Sequence, residues 1–219
     1  MCFDSINDPS NEKKRVFHRG ICLITLAGDQ LTMRAALRVK RVLESTPGMP
    51  PFNLLVDSQM KRDVYNNIDA LPPSGLCVEV GPLPHGTLSK LDLLEGTKSA
   101  VIETLKEIRD FNKREAGVSA VPIETTKLDG FELWKPLYFP KSSSDSVTVS
   151  AAIHSSLIGQ DMVKILRKGD PLFVDLATSS ILTYQEEEEA YACFIGEAAY
   201  FPSGIAMWLC KKQQFHVYG

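Results

Sequence analysis

The chain has 219 residues, of which 44% are hydrophobic and 23% are charged, a balance typical of folded globular proteins and not of disordered segments. Its formal net charge of -3 excludes the basic excess by which nucleic-acid-binding proteins are usually recognised. No apolar run approaches the ~20 residues that a helix needs to cross a bilayer, so the sequence predicts no membrane span.

The first half of the sequence predicts alternating strands and helices. Residues 1–19 are polar and form a lead-in before the first element. Residues 21–26 are a short continuous apolar run, which is typical of a buried strand. Apolar residues then recur at helical spacing until Thr46-Pro47-Gly48 ends the helix. Residues 52–56 and 76–80 have the composition of two further strands.

A long amphipathic helix is predicted after the third strand, with charged residues on the faces that flank its apolar stripe. The stripe consists of Leu88, Leu91, Leu94, Val101, Ile102, Leu105, Ile108 and Phe111. The resulting order of strand, helix, strand, strand and helix predicts an α/β layer in which at least some strands pair in parallel.

After Gly117 the sequence changes to short β-rich pieces that are separated by Ser, Gly and Pro. These pieces are residues 147–149, 172–176, 191–195 and 205–209. Their spacing predicts a small antiparallel barrel or sandwich. We therefore predict a domain boundary near residue 116, with an α/β domain over residues 20–116 and a β domain over residues 117–219.

The five cysteines are scattered along the chain and form no Cys-x-x-Cys pair. This distribution indicates neither a disulfide framework nor a cysteine zinc site. The N-terminal residues also lack the apolar segment of a secretory signal. Together these features predict a cytoplasmic protein.

Glu79 is the most unusual residue of the predicted strands, because it places a carboxylate in the apolar run Leu76-Cys77-Val78-Glu79-Val80, directly before Gly81-Pro82. Burying an ionised carboxylate without a partner is costly, so Glu79 must be paired, protonated or directed into a wet cleft. Ligands commonly bind beyond the carboxyl ends of strands in α/β sheets. A purely structural glutamate, satisfied by an arginine or by backbone amides, is the alternative.

Four stretches carry a family resemblance. They are Val-Glu-Val-Gly-Pro-Leu-Pro-His-Gly at 78–86, Ala-Ala-Ile-His at 151–154, Lys-Gly-Asp-Pro-Leu-Phe at 168–173 and Ile-Gly-Glu-Ala-Ala-Tyr at 195–200. In collinear order they resemble motifs of the aspartoacylase / succinylglutamate desuccinylase family, in its aspartoacylase or N-acyl-aromatic-amino-acid amidohydrolase branch.

The resemblance implies a zinc-dependent amidohydrolase that cleaves an N-acyl amino acid into a carboxylate and the free amino acid. It implies that Glu79 acts as general base and then as proton donor to the leaving amine. Tyr65 and Tyr200 fall where the family contacts its substrate, and Glu197 is expected to hold the domain interface. For His154 a structural role is expected.

The fold implied by the resemblance is a zinc-carboxypeptidase-like mixed sheet with helices, followed by a small, mostly antiparallel β domain that covers the substrate channel. The family binds zinc through a His-x-x-Glu pair and a later histidine, but none of the four histidines here is followed by Glu three residues on. We therefore expect the α/β domain to be truncated, with the first zinc-binding segment lacking.

His18 is the nearest candidate for the later zinc-binding histidine, and one ligand is too few for a catalytic zinc, which generally has three protein ligands.

Asp69 stands where the family carries an arginine that binds a substrate carboxylate. Pro202-Ser203 replaces a basic pair of close relatives. These changes remove positive charge from the expected substrate region, so an aromatic or neutral N-acyl amino acid becomes as plausible a substrate as N-acetylaspartate.

Two functional hypotheses stay open on the sequence. The first is the zinc-dependent amidohydrolase that the resemblance implies. The second is a truncated, non-catalytic relative, acting as an interaction module or persisting as an inactive fragment. Such a relative could form a homo-oligomer or pair with a full-length homologue through an uncovered sheet edge.

Overall fold

A computed structural model describes residues 20–26, 29–58, 74–80, 91–117, 125–142 and 149–218. It contains the helices α1 (Gln30–Ser45) and α2 (Leu91–Glu115) and two single 3-10 turns, at Ser155–Leu157 and Phe201–Ser203. The strands are β1 (Ile21–Leu26), β2 (Phe52–Asp57), β3 (Leu76–Val80), β4 (Thr126–Tyr138), β5 (Ala151–Ile153), β6 (Ile165–Leu166), β7 (Pro171–Asp175), β8 (Ile181–Thr183), β9 (Ala190–Cys193) and β10 (Ile205–Val217). The predicted site residues Tyr65 and His18, and also Asp69, lie outside the described residues.

The segment from β1 to β2 is a strand–helix–strand unit with parallel strands. Ile21 of β1 is in register with Phe52 of β2. The connecting helix begins at Asp29, whose Oδ1 accepts hydrogen bonds from the backbone N–H groups of Leu31 (3.1 Å) and Thr32 (3.3 Å), as a favourable N-cap does. The predicted parallel pairing is confirmed.

Two sheets are built from the described strands. Seven strands form a mixed sheet in the order β3-β1-β2-β4-β10-β9-β6, and β5, β7 and β8 form a smaller sheet with β7 in the middle. The strand pairs β1–β2 and β2–β4 are parallel, whereas β1–β3, β9–β10 and β6–β9 are antiparallel. The predicted class, an α/β part followed by a mostly antiparallel β part, is confirmed.

The described residues fall into two compact units, each with its own core. The first contains residues 20–133 and 211–218, and its core includes Leu23, Val39 and Leu54. The second contains residues 134–210 and has a core of its own around Leu157, Phe173, Tyr184 and Met207. β4 and β10 contribute residues to both units, so the compact units divide inside two strands. The predicted boundary near residue 116 follows the end of α2 and stays a prediction for the domain organisation.

α2 departs from the behaviour of an ordinary amphipathic helix, which turns its apolar stripe toward the core. Its buried residues are Leu93, Gly96, Ala100, Glu103 and Glu107. The side chains of the apolar stripe are exposed instead: Leu91 by 73%, Leu94 by 55%, Val101 by 45%, Ile102 by 40%, Leu105 by 60% and Ile108 by 37%. The helix therefore buries small and acidic residues together with Leu93, and it presents six of its large apolar residues to solvent.

The acidic residues of α2 are buried because α1 supplies arginines opposite them. Arg38 donates a hydrogen bond from Nε to Glu103 Oε2 at 2.9 Å, and its Nη1 lies 3.4 Å from Glu107 Oε2. Arg38 Nη1 also reaches Asp110 Oδ2 at 2.7 Å. Buried carboxylates need such partners, so these contacts determine which face of α2 packs against α1. Neither of the α-helices that the structure describes is long and apolar enough to cross a membrane.

Tyr184 anchors the core of the second unit and gives a pH-dependent prediction. It is 1% exposed, its hydroxyl donates a hydrogen bond to the Glu188 carbonyl at 2.9 Å, and burial raises its pKa from 10.0 to about 12. The stability that comes from the protonated phenol is fully present below pH 10 and is lost as the pH rises toward 12.

We expect the free energy of unfolding to fall more steeply between pH 10 and about pH 12 in the wild type than in Tyr184→Phe. At pH 8 the variant should be less stable by about 1 kcal/mol, because it loses one hydrogen bond. Urea unfolding across this pH range measures both effects. Identical slopes in the two proteins would show that Tyr184 ionises no differently in the folded and unfolded chains.

Candidate active site

Glu79 lies on β3, the edge strand of the seven-stranded sheet. Its neighbours Val78 and Val80 pack against the core of the first unit. Because side chains alternate along a strand, the Glu79 side chain points to the other face, where it is exposed. The structure thus places this carboxylate on the solvent-accessible side of an apolar strand.

The described strand residues next to Glu79 on that face are uncharged. Cys22 of β1 lies directly opposite it, and the next cross-strand pair on the same face is Ile24 with Cys77. Protein atoms around the carboxylate remove part of its hydration, and this burial raises the pKa of Glu79 above its ordinary value of 4.5. The exposed part of the side chain still contacts solvent, so the desolvation is partial. A carboxylate in this state accepts a proton more readily than a fully hydrated one.

A hydrogen bond connects the segment before β3 to the start of α1. Ser74 Oγ donates to Asp29 Oδ1 at 3.0 Å, the same oxygen that caps α1. Residue 74 lies two positions before the start of β3, so the residue that caps α1 also holds the segment that leads into the strand of Glu79. This contact gives Glu79 a rigid support on its N-terminal side.

Tyr200 lies in the second unit and belongs to an aromatic cluster. Its ring centre is 5.9 Å from that of Phe194 and 6.3 Å from that of Trp208. Phe194 has a φ of 53°, a left-handed conformation that is uncommon for a bulky residue and is found where surrounding structure enforces it. The cluster holds the Tyr200 ring in one orientation. Its contact with substrate stays a prediction.

Phe194 and Trp208 were not singled out by the sequence. The position of Phe194 depends on its left-handed backbone conformation. The position of Trp208 depends on the pairing of β9 with β10, which places Trp208 opposite Cys193,. The only local signal was Gly196 two residues after Phe194, and a single glycine indicates no specific neighbour.

Glu197 and His154 make different contacts in the structure. Glu197 is exposed, and its backbone carbonyl accepts a hydrogen bond from the Tyr200 N–H at 3.1 Å; its predicted place at the domain interface stays a prediction. His154 caps a 3-10 turn, because its Nδ1 accepts a hydrogen bond from the Ser156 N–H at 3.2 Å and lies 2.8 Å from Ser156 Oγ. That is a structural contact, as expected.

The described residues do not provide a zinc site. Within the described ranges, no three or more His, Cys, Asp or Glu side chains come together in a group that could hold a metal ion. Catalytic zinc generally needs three such ligands and an open position. His216, one of the two described histidines, stacks on Tyr218 with ring centres 6.1 Å apart. The donor set that the resemblance implies is therefore not met by this part of the chain.

The structure does not bring all predicted site residues into one described group. Glu79 belongs to the first compact unit, and Tyr200 and Glu197 belong to the second. Tyr65 and His18 lie outside the described residues. The structure therefore describes two separate candidate groups. One is Glu79 with the strand residues that partly desolvate it, and the other is the aromatic cluster around Tyr200.

Sequence comparisons identify relatives for most of the chain. The protein-family model for the AstE/AspA barrel-sandwich hybrid domain matches residues 127–212. The N-acyl-aromatic-L-amino acid amidohydrolase (carboxylate-forming) B of Danio rerio is 30% identical over 84% of this chain and 55% of the relative. A probable aspartoacylase of Trichodesmium erythraeum (strain IMS101) is 32% identical over 75% of this chain and 53% of the relative. The chain spans about half the length of the curated relatives it matches.

A solved structure shows the same fold. Crystalline murine aminoacylase 3 matches with a TM-score of 0.73 at 20% identity, covering 92% of this chain and 61% of that chain. This likeness concerns the fold alone, whereas the sequence similarity extends through the motifs around Glu79 and Tyr200. The chain belongs to the family that contains the aspartoacylases and the N-acyl-aromatic-amino acid amidohydrolases.

Proposed function

We propose that this chain hydrolyses the amide bond of an N-acyl amino acid, with Glu79 as the group that moves the proton. The observation that carries the proposal is the carboxylate of Glu79 on the exposed face of an apolar edge strand, with a pKa raised by burial. The names of the curated relatives, which are amidohydrolases of N-acyl amino acids and probable aspartoacylases, support the same reaction class.

The proposed chemistry needs one group that accepts a proton and then returns it. Water adds through its oxygen to the amide carbonyl carbon, and Glu79 accepts the proton that the water loses. When the C–N bond breaks, Glu79 gives this proton to the leaving nitrogen, so the products are a carboxylate and a free amino acid. A carboxylate whose pKa is raised toward the working pH performs both steps better than one with its ordinary pKa.

Zinc is part of the proposal only through the family resemblance. The described residues contain no donor set for it, so we assign it no step here. Ligands would have to come from outside the described residues, where His18 lies. We also propose a cytosolic location, because the scattered cysteines give no sign of a disulfide framework.

The substrate proposal covers aromatic and neutral N-acyl amino acids as well as N-acetylaspartate. Position 69 carries an aspartate where the family resemblance implies an arginine that binds a substrate carboxylate. An aspartate there would repel an acidic side chain, whereas it would not oppose an aromatic one. Aromatic substrates also suit the phenyl, phenol and indole groups of the Tyr200 cluster,.

A second candidate function is that of a non-catalytic interaction module. Two observations favour it: the described residues lack a metal donor set, and α2 exposes a row of large apolar side chains. The two candidates differ in one measurable respect, which is whether purified protein releases free amino acid from an N-acyl amino acid.

Glu79→Gln tests the catalytic proposal. We expect wild-type protein supplied with zinc to release free amine from N-acetyl-L-phenylalanine or N-acetyl-L-aspartate, and the variant to be about 10²–10⁴-fold slower, because glutamine cannot accept the proton. Glu44→Gln, which removes an exposed carboxylate from α1, is the control and should retain the wild-type rate. Full activity in Glu79→Gln would exclude Glu79 as the base, and no hydrolysis by the wild type would favour the interaction module.

A further inference from the structure

The exposed stripe of α2 has the spacing of a coiled-coil seam. Leu91, Leu94, Lys98, Val101, Leu105 and Ile108 follow one another at intervals of three and four residues, and all six side chains are exposed. We call these six residues the α2 seam. Coiled coils repeat apolar residues every 3.5 residues, and a single polar residue in the core row sets register and partner number. Lys98 is the one polar member of the seam.

The opposite face of α2 is fixed to the rest of the first unit. Glu103 and Glu107 are 8% and 7% exposed and pair with arginines of α1. Ala100 is fully buried, and Gly96 lies against Pro50. The helix is therefore held in place by one face while the other presents its apolar residues. A preorganised helix face loses little conformational entropy on binding.

We propose that the α2 seam pairs in an antiparallel arrangement with the α2 seam of a second copy of this chain. The spacing of the seam reads the same in both directions. In a two-fold pair, Leu91 of one copy can face Ile108 of the other, Leu94 can face Leu105, and Lys98 can face Val101. A two-fold contact of this kind uses the same surface on both subunits.

Charge favours the antiparallel orientation over the parallel one. Glu95 and Arg109 each follow a seam residue by one position, so they lie on the same flank near opposite ends of the seam. An antiparallel pair brings each Glu95 toward Arg109 of the second copy, because the two helices run in opposite directions. In a parallel pair Glu95 could face Lys90, which precedes Leu91, but Arg109 would face the uncharged Thr104. The two Lys98 side chains would then also face each other in the apolar row.

Glu95 and Arg109 are free enough to make these contacts. Their side chains are 45% and 60% exposed. Each has an intramolecular neighbour, Lys98 at 3.8 Å for Glu95 and Asp110 at 3.1 Å for Arg109, and such exposed pairs contribute little stability.

The size of the seam predicts a weak dimer. It spans about 26 Å from Leu91 to Ile108 at 1.5 Å per residue. A contact of one helix with its copy falls toward the lower end of specific protein interfaces, and a Lys98 in the row lowers its stability further. We therefore expect a dissociation constant on the order of micromolar.

Sedimentation velocity of the full chain, from about 1 to about 100 µM, tests the pairing. The wild type is expected to pass from monomer to dimer, and Leu105→Glu to stay monomeric. Leu176→Glu changes an equally exposed leucine in the second unit and should dimerise like the wild type. Lys98→Leu should tighten the dimer by about tenfold, because it completes the apolar row. Circular dichroism of each variant verifies that the fold is retained.

Charge reversal tests the orientation. Glu95→Lys and Arg109→Glu should each weaken the dimer by about fivefold, and the double variant should recover the wild-type affinity. A wild type that stays monomeric over the whole range, or a Leu105→Glu variant that dimerises normally, would overturn the proposal. A monomer that instead sediments with phosphatidylcholine vesicles would assign the seam to a lipid surface. Charge reversals without effect would overturn the antiparallel arrangement.

Discussion

Replacing Glu107 by glutamine is expected to lower the free energy of unfolding by about 3 kcal/mol. Glu107 is 7% exposed and lies between three arginines. Its carboxylate is 2.6 Å from Arg114 Nη2, 3.4 Å from Arg38 Nη1 and 3.6 Å from Arg34 Nε. Without its charge, these guanidinium groups repel one another in a partly buried space, and removing one partner of such a network is strongly destabilising.

Arg34 shows why the charge of Glu107 is needed. Burial lowers the pKa of Arg34, the nearby Arg114 charge lowers it further, and Glu107 is the largest opposing influence. Its guanidinium also lies over the Phe111 ring at 5.0 Å from the ring centre. A neutral side chain at position 107 would leave Arg34 with an aromatic face and no adjacent carboxylate at its Nε.

Thermal and urea unfolding of Glu107→Gln measure the loss. Glu44→Gln removes an exposed carboxylate that pairs with Lys40 one helical turn away at 3.7 Å, and it should cost only about 0.3–0.5 kcal/mol. Adding Arg114→Met to Glu107→Gln should recover part of the loss, because it removes one of the uncompensated charges. A Glu107→Gln variant within about 0.5 kcal/mol of the wild type would show that the network contributes no net stability.

Gly96→Ala is expected to destabilise the chain by about 1–3 kcal/mol, although alanine is the better helix former by about 1 kcal/mol. A Cβ at position 96 would lie 2.5 Å from Cγ and 2.8 Å from Cδ of Pro50. Proline is a rigid ring and Pro50 is buried, so α2 would have to move away from Pro50. The steric conflict with Pro50 is therefore expected to outweigh the higher helix propensity of alanine.

Asn112→Ala is the matched control for this prediction, because it changes an exposed residue of the same helix without a neighbour to displace. It should leave stability unchanged or raise it by a few tenths of a kcal/mol. Unfolding transitions of the two variants are compared under one set of conditions. A Gly96→Ala protein that is more stable than the wild type would mean that α2 can shift without cost.

The sequence predicts several elements with correct bounds because their residues decide the outcome locally. The runs at 21–26 and 76–80 become β1 and β3 as predicted, since both are short, apolar and bounded by breakers,. β4 was not predicted. Its Gly130 has the pattern of a break in a strand. In the structure this glycine instead allows Leu54 to pack closely, because a Cβ added at position 130 would lie only 3.0 Å from Leu54 Cβ.

β10 is longer than its apolar pattern indicates. The pattern covers residues 205–209, whereas the strand continues to Val217. Its second half contains Lys211, Lys212 and two glutamines, and it is held by contacts that sequence alone does not reveal. Gln214 Nε2 donates a hydrogen bond to Asp129 Oδ1 of β4 at 3.0 Å, and Gln213 donates to Glu132.

The orientation of α2 could not be predicted from its periodicity. A helical period identifies a stripe but not which face packs on the chain. Here Arg34 and Arg38 of α1 decide the outcome, because they partner the acidic residues Glu103 and Glu107. For Glu79, the sequence predicts a carboxylate within an apolar strand, and the structure has it on the exposed face of β3; its catalytic role stays a prediction.

The zinc content of wild-type and Glu79→Gln protein is the measurement that tests the proposed function most directly. We predict that Glu79→Gln retains whatever zinc the wild type binds and that only the wild type hydrolyses N-acyl amino acids, because Glu79 moves the proton and does not hold the metal. Elemental analysis of the two purified proteins, beside their rates, decides this. Loss of bound zinc in Glu79→Gln, or a wild type that hydrolyses nothing, would contradict the proposed function.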